Sequence, residues 1–178
     1  MKLAAGQRAR RATMDNAKRA LRIAITALSA AALDAAAVTC TPSTPGVAFG
    51  SYDVFAAAAT NGNGTATITC SLDPSDQGAQ KITPYSFSLS TGSSGSFVQR
   101  TMKSGSNALG YNLYTSNAYS VVWGDGTGST STMSGTLIVN GGHPTVTNTF
   151  TVYGRIPALQ DAAVAADYRD DVTMTVTY

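Results

Sequence analysis

The chain has 178 residues, 43% of them hydrophobic and only 12% charged, with a formal net charge of +2 and no Glu. That length holds one domain with one core. Residues 1–37 carry seven Lys or Arg and two Asp, so the other five basic and eight acidic residues leave a formal −3 and exclude a nucleic-acid footprint.

In chain order the first element is an address. Arg8, Arg10, Arg11, Lys18, Arg19 and Arg22 form a basic stretch, Ile23 to Leu33 an apolar run of eleven, and Ala35-Ala36-Ala37 a small-x-small site. This order predicts a secretory signal peptide over 1–37 and a mature domain over 38–178. The predicted route is export through the periplasm to the cell surface or medium. The run is too short for a membrane span, and no other approaches that length. Met14 is an alternative start to Met1. An amphipathic helix of the folded domain is the competing reading of the segment. The residues after Arg10-Arg11 do not fit a twin-arginine signal.

Cys40 and Cys70 follow. In an exported chain an even pair reads as a disulfide. The alternatives are a metal pair, which lacks further ligands because His143 is the only His, and a lipidated Cys40, where Thr39 stands in place of a small residue.

Beyond residue 40, β-branched and turn residues dominate, and an all-β domain is expected. Strands are expected at Thr65–Cys70, Tyr85–Leu89, Leu109–Leu113, Ser120–Trp123, Ser134–Val139, Thr149–Ile156 and Asp170–Tyr178. Breaks are expected at N-G-N-G (61–64), T-G-S-S-G (91–95), G-D-G-T-G (124–128) and N-G-G-H-P (140–144). About seven short strands at this spacing predict a Greek-key β-sandwich. Its large core residues are expected to be Phe49, Phe87, Tyr111, Trp123, Phe150 and Val152. Pro157 to Ala166 is Ala-rich but short, and reads as a loop or a turn of helix. In the last segment, Val172, Met174, Val176 and Tyr178 alternate with threonines. The chain therefore ends on a half-apolar strand with an uncovered edge, a liability unless a partner pairs with it.

Six stretches, in this order, resemble the spore coat protein U domain, the fold shared with subunits of Csu-type archaic chaperone–usher pili. They are V-A-F-G-S-Y-D (47–53), T-A-T-I-T-C (65–70), S-L-S-T-G-S-S-G-S-F with R-T-M (88–102), Y-N-L-Y-T with V-W-G-D-G-T (111–127), T-V-Y-G-R-I-P-A (151–158) and the final eleven residues. The resemblance covers about residues 38–178. It implies an incomplete immunoglobulin-like Greek-key sandwich completed by a donor strand. It also implies a structural subunit of a pilus or surface fibre, acting in adhesion and biofilm, whose partners are a periplasmic chaperone, an outer-membrane usher and other subunits. The acceptor groove would be lined partly by Val172, Met174, Val176 and Tyr178. One departure is that only Val38 and Thr39 precede Cys40 after cleavage, too few for a donor segment. The alternatives are a self-contained secreted coat or matrix protein, or a carbohydrate-binding adhesin on the same fold.

No enzyme, cofactor or metal is expected. His143 sits in a G-G-H-P turn with no nucleophile elbow in the sequence. Asp170-Asp171, as strand neighbours, point to opposite faces. Asp125 is the single carboxylate of its loop, where Ca²⁺ usually takes several. Trp123, Tyr111, Tyr114 and Tyr119 read as a glycan-stacking platform or as core, with core favoured for Trp123 and Tyr111. Arg155 is expected either to pair with Asp170 or to lie at the groove rim.

Overall fold

A computed structural model describes residues 38–76, 80–163, 165 and 167–178; the expected signal peptide lies outside them. The strands are β1 (Val38–Val47), β2 (Thr60–Leu72), β3 (Gln80–Leu89), β4 (Arg100–Ser104), β5 (Asn107–Tyr114), β6 (Val122–Trp123), β7 (Thr130–Ser131), β8 (Met133–Asn140), β9 (Thr145–Ile156) and β10 (Met174–Thr177). They form two sheets. The larger runs β1-β2-β9-β5-β6-β7, with β4 also paired to β5, and the smaller runs β10-β3-β8.

Alternation dictates which face each strand buries. In β2, Ala66, Ile68, Cys70 and Leu72 are buried, and in β9 Val152 and Ile156 are buried. Opposite them, Tyr85, Phe87 and Leu89 of β3 and Leu137 and Val139 of β8 are buried too. The faces meet in one core, where Phe87 and Phe150 stack edge to face at 5.6 Å and Tyr85 meets Phe150 at 6.1 Å. The tyrosine hydroxyl, 2.7 Å from Asn148 Nδ2, gains a partner across the sheets. The result is an all-β two-sheet sandwich. Trp123, Phe87, Tyr111 and Val152 are buried in it, while Phe49 and Phe150 pack against it partly exposed.

Three strands have no counterpart among the expected ones. β1 carries Pro42 and Pro45 and a register break between Ser43 and Gly46, and it pairs only with β2. Proline survives there because an edge strand tolerates lost ladder bonds. The Cys40–Cys70 disulfide ties this edge to β2. β4 joins β5 in a hairpin turning at Gly105 (φ 57°). β7 is a two-residue strand parallel to β6.

Two expectations need correction. N-G-N-G at 61–64 is not a break but the start of β2, paired through to β9. Its glycines serve close approach rather than a turn. A Cβ at Gly62 would lie 2.5 Å from the Ala48 carbonyl oxygen, and one at Gly64 would strike that of Gly46. The terminal strand is shorter than Asp170–Tyr178. Only Met174–Thr177 is strand, because Arg169 first bridges to Lys103 of β4 and Asp170 is drawn to other partners. The segment after Pro157 shows no helix among its described residues.

Candidate functional site

The smaller sheet has three strands against seven in the larger, and β10 at its edge pairs with β3 alone. Beside that edge a cleft of about 1100 Å³ opens into the core. Buried Leu89, Met102, Leu109, Trp123, Val152 and Ile156 lie at its base. One wall is residues 44–55, and the other is Tyr168 to Met174. Val172 and Met174 line it. Val176 packs on the core opposite Phe87, and Tyr178 lies past the end of β10, 56% exposed.

Segment 47–53 crosses the inner face of the larger sheet over Gly62, Gly64 and Gly154. Phe49 meets Tyr111 edge to face at 5.7 Å. The Tyr52 hydroxyl donates to the Pro157 carbonyl at 2.9 Å and accepts from the Gln160 N–H at 2.8 Å. β9 stops at Ile156, because Pro157 has no N–H to continue the ladder. The Gln160 side chain takes the vacated position. Its Oε1 accepts from Gly110 N–H at 2.9 Å and its Nε2 donates to Gly110 C=O at 2.8 Å. Both backbone groups of a strand edge are thus satisfied by one carboxamide.

Bonded to the backbone of cleft-lining Trp123 is a fully buried cation. Arg100 Nε and Nη2 donate to Ser90 C=O at 3.0 and 2.8 Å, Nη2 to Trp123 C=O at 2.8 Å, and Nη1 to Asn112 Oδ1 at 2.8 Å. Its guanidinium carbon lies 5.2 Å from the Phe97 ring centroid. Burial pushes its pKa down, but guanidinium stays charged in proteins, so the four bonds hold a cation in place. Next to it, the Tyr111 hydroxyl donates to Asp170 Oδ2 at 2.7 Å. Burial first, and then this bond, push the Tyr111 pKa far up. Asp170 Oδ1 accepts from Ser93 N–H at 2.8 Å, pinning the start of the terminal segment.

Asp170 therefore belongs to Tyr111 and Ser93 rather than to Arg155. Arg155 is also away from the cleft, on the outer face of the larger sheet, with its guanidinium carbon 4.8 Å from the Tyr119 ring centroid. Tyr114 and Tyr119 are on that face, 5.5 Å apart, while Trp123 and Tyr111 are core. Trp123 Nε1–H donates to Phe87 C=O at 3.1 Å. Asp125 accepts from the Thr127 N–H and hydroxyl at 2.9 and 2.6 Å; these bonds hold its carboxyl below the usual range and close a turn. The exposed His143 forms a turn with Asn140. Among the described residues no group of three or more His, Cys, Asp or Glu is placed to hold a metal. No described helix is long and apolar enough to cross a membrane.

Arg100, Gln160 and Tyr52 have no role in the sequence reading. The signals for them were two of the resemblance stretches, R-T-M, which holds Arg100, and V-A-F-G-S-Y-D, which holds Tyr52.

No curated protein matches the chain. Among solved structures it is similar to a chain of the chaperone–tip adhesion subunit pre-assembly complex from archaic chaperone–usher Csu pili of Acinetobacter baumannii, at 22% identity and a TM-score of 0.49. The match covers 80% of this chain and 40% of that one, so the chain spans less than half of its neighbour's length. The model of the Spore Coat Protein U domain matches residues 25–175. Nearly the whole sandwich falls inside that match, and the chain belongs to the Spore Coat Protein U domain family.

Proposed function

We propose that the chain is a non-enzymatic structural subunit of a surface fibre of the chaperone–usher type, exported by residues 1–37 and completed by a strand from a partner. The observation that carries this reading is the cleft beside β10, where an unpaired strand edge borders an opening lined by core side chains. A strand laid there would pair its backbone with β10 and drop alternate apolar side chains towards Leu89, Met102 and Leu109. A periplasmic chaperone supplies that strand first and a fellow subunit later; an outer-membrane usher handles the exchange. These partners follow from the family resemblance.

A self-contained secreted coat or matrix protein is the second reading. Segment 47–53 favours it, because Phe49 and the Tyr52 latch already cover part of the core.

The test adds synthetic peptides of alternating apolar residues to the purified chain. Saturable binding with a rise in melting temperature of several degrees is expected; a kcal/mol shifts Tm by about 2–8 °C in domains of this size range. A monomer that melts cooperatively at high temperature and ignores every such peptide and its chaperone would overturn the fibre reading in favour of the coat protein.

A further inference from the structure

The outer face of the larger sheet is built from hydroxyls. Every second residue from Thr65 to Ser71 and from Thr145 to Thr151 is Thr or Ser, as are Thr39, Thr41 and Ser43 of β1. The register aligns them in rows: Thr39 opposes Ser71 and Ser71 opposes Thr145, and Thr41 opposes Thr69 and Thr69 opposes Thr147. Strands lie about 4.8 Å apart and same-face neighbours about 6.6 Å apart, so this is a regular lattice of small donor–acceptor groups. Its members touch: the Thr69 and Thr147 hydroxyls are 2.7 Å apart, and those of Ser71 and Thr145 are 3.0 Å apart.

At one end the lattice passes into aromatics. Asn63, Tyr153 and Tyr114 stand side by side on β2, β9 and β5. Tyr119 meets Tyr114 at 5.5 Å, and Arg155 lies against Tyr119. Tyr119 has φ 52°, a left-handed conformation that bulky residues avoid. Its N–H closes a turn on the Ser116 carbonyl at 3.2 Å, and its ring lies in this cluster.

We infer that this face binds a neutral polysaccharide. Tyr153 and one ring of the edge-to-face Tyr114–Tyr119 pair would stack on the C–H faces of pyranose rings, and Asn63, Arg155 and the Thr and Ser hydroxyls would bond to the sugar hydroxyls. The chemistry excludes the other classes. A nucleic acid needs several cations, and the face has Arg155. A protein partner needs apolar anchors in pockets, and the hydroxyl rows have none. Among the described residues of β1, β2 and β9 that form the rows, none is a carboxylate that would repel or select a charged sugar. The site is on the opposite side of the sheet from the cleft, so it does not depend on strand completion.

Depletion isotherms of the full chain, as purified from expressing cells, on chitin, cellulose and a soluble neutral glucan test the inference. Saturable retention on at least one polymer, insensitive to salt, is expected. Tyr119→Ser with Tyr153→Ser should weaken it about tenfold or more. Thr69→Val with Thr147→Val, near-isosteric and kind to a strand, should weaken it too, and carries the test if the tyrosine variants melt early. Response to strand peptides should stay at the parental level in both. No retention on any polymer, or equal retention by folded variants, overturns the inference without touching the fibre reading.

Discussion

Arg100 shows how one residue can hold several loops. Its guanidinium gathers the carbonyls of Ser90 and Trp123 and the Asn112 amide, from three separated stretches of chain. Replacing it with Met keeps the volume but strands those acceptors in the core. Each buried orphan costs about 1–3 kcal/mol, so Arg100→Met should destabilise by about 3 kcal/mol or more in urea or thermal melts. Arg100→Lys should recover little, because an ammonium cannot reproduce the planar fork. The same residue explains why β4 was invisible in the sequence. R-T-M-K-S alternates correctly, with Arg100 and Met102 buried, but a charged residue in the apolar phase hides the alternation. Periodicity reads polarity, and here the interior contains a charge with all its partners.

At the scale of elements, strands with plain alternation were legible: β2, β3, β5, β8 and β9 contain the expected segments. The misses have physical causes. β1 is an edge that tolerates prolines, and the glycines of β2 answer to a chain passing over them rather than to a turn. Trp123, Tyr111, Phe87 and Val152 were readable as core because large apolar side chains have few other places to go. The Gln160 cap was not readable, since a side chain replacing a ladder step leaves no pattern. β10 supplies the element-scale prediction. Met174 faces the cleft and Thr175 faces away. Met174→Asp should abolish peptide binding in isothermal titration, whereas Thr175→Asp should leave it within about threefold, an outward charge costing about 0.5 kcal/mol.

For the whole molecule, the unequal sheets are the governing fact. Three strands face seven, and part of the interior face of the larger sheet is lined by segment 47–53 and by residues 168–174 rather than by a strand. The disulfide secures the edge strand β1, closing a 30-residue separation between β1 and β2. In the chain-entropy model a loop of that size is worth about 3–4 kcal/mol. Protein recovered from periplasm or medium should begin near Val38 by N-terminal sequencing and show the two cysteines joined by non-reducing mass spectrometry. Intact residues 1–30 on exported protein would remove the signal-peptide proposal, and free thiols would remove the oxidised address.

The glycines beneath segment 47–53 carry a last consequence. A sheet surface of Gly62, Gly64 and Gly154 has no side-chain relief of its own, so it is a smooth channel rather than a lock. Whatever lies in it is held by the side chains it brings, as Phe49 is held by Tyr111. Removing such an occupant forfeits its own contacts and asks no rotamer of the channel floor to change. The channel floor thus sets no side-chain requirement on segment 47–53, which is held instead by Phe49 against Tyr111 and by the Tyr52 hydroxyl at Pro157 and Gln160.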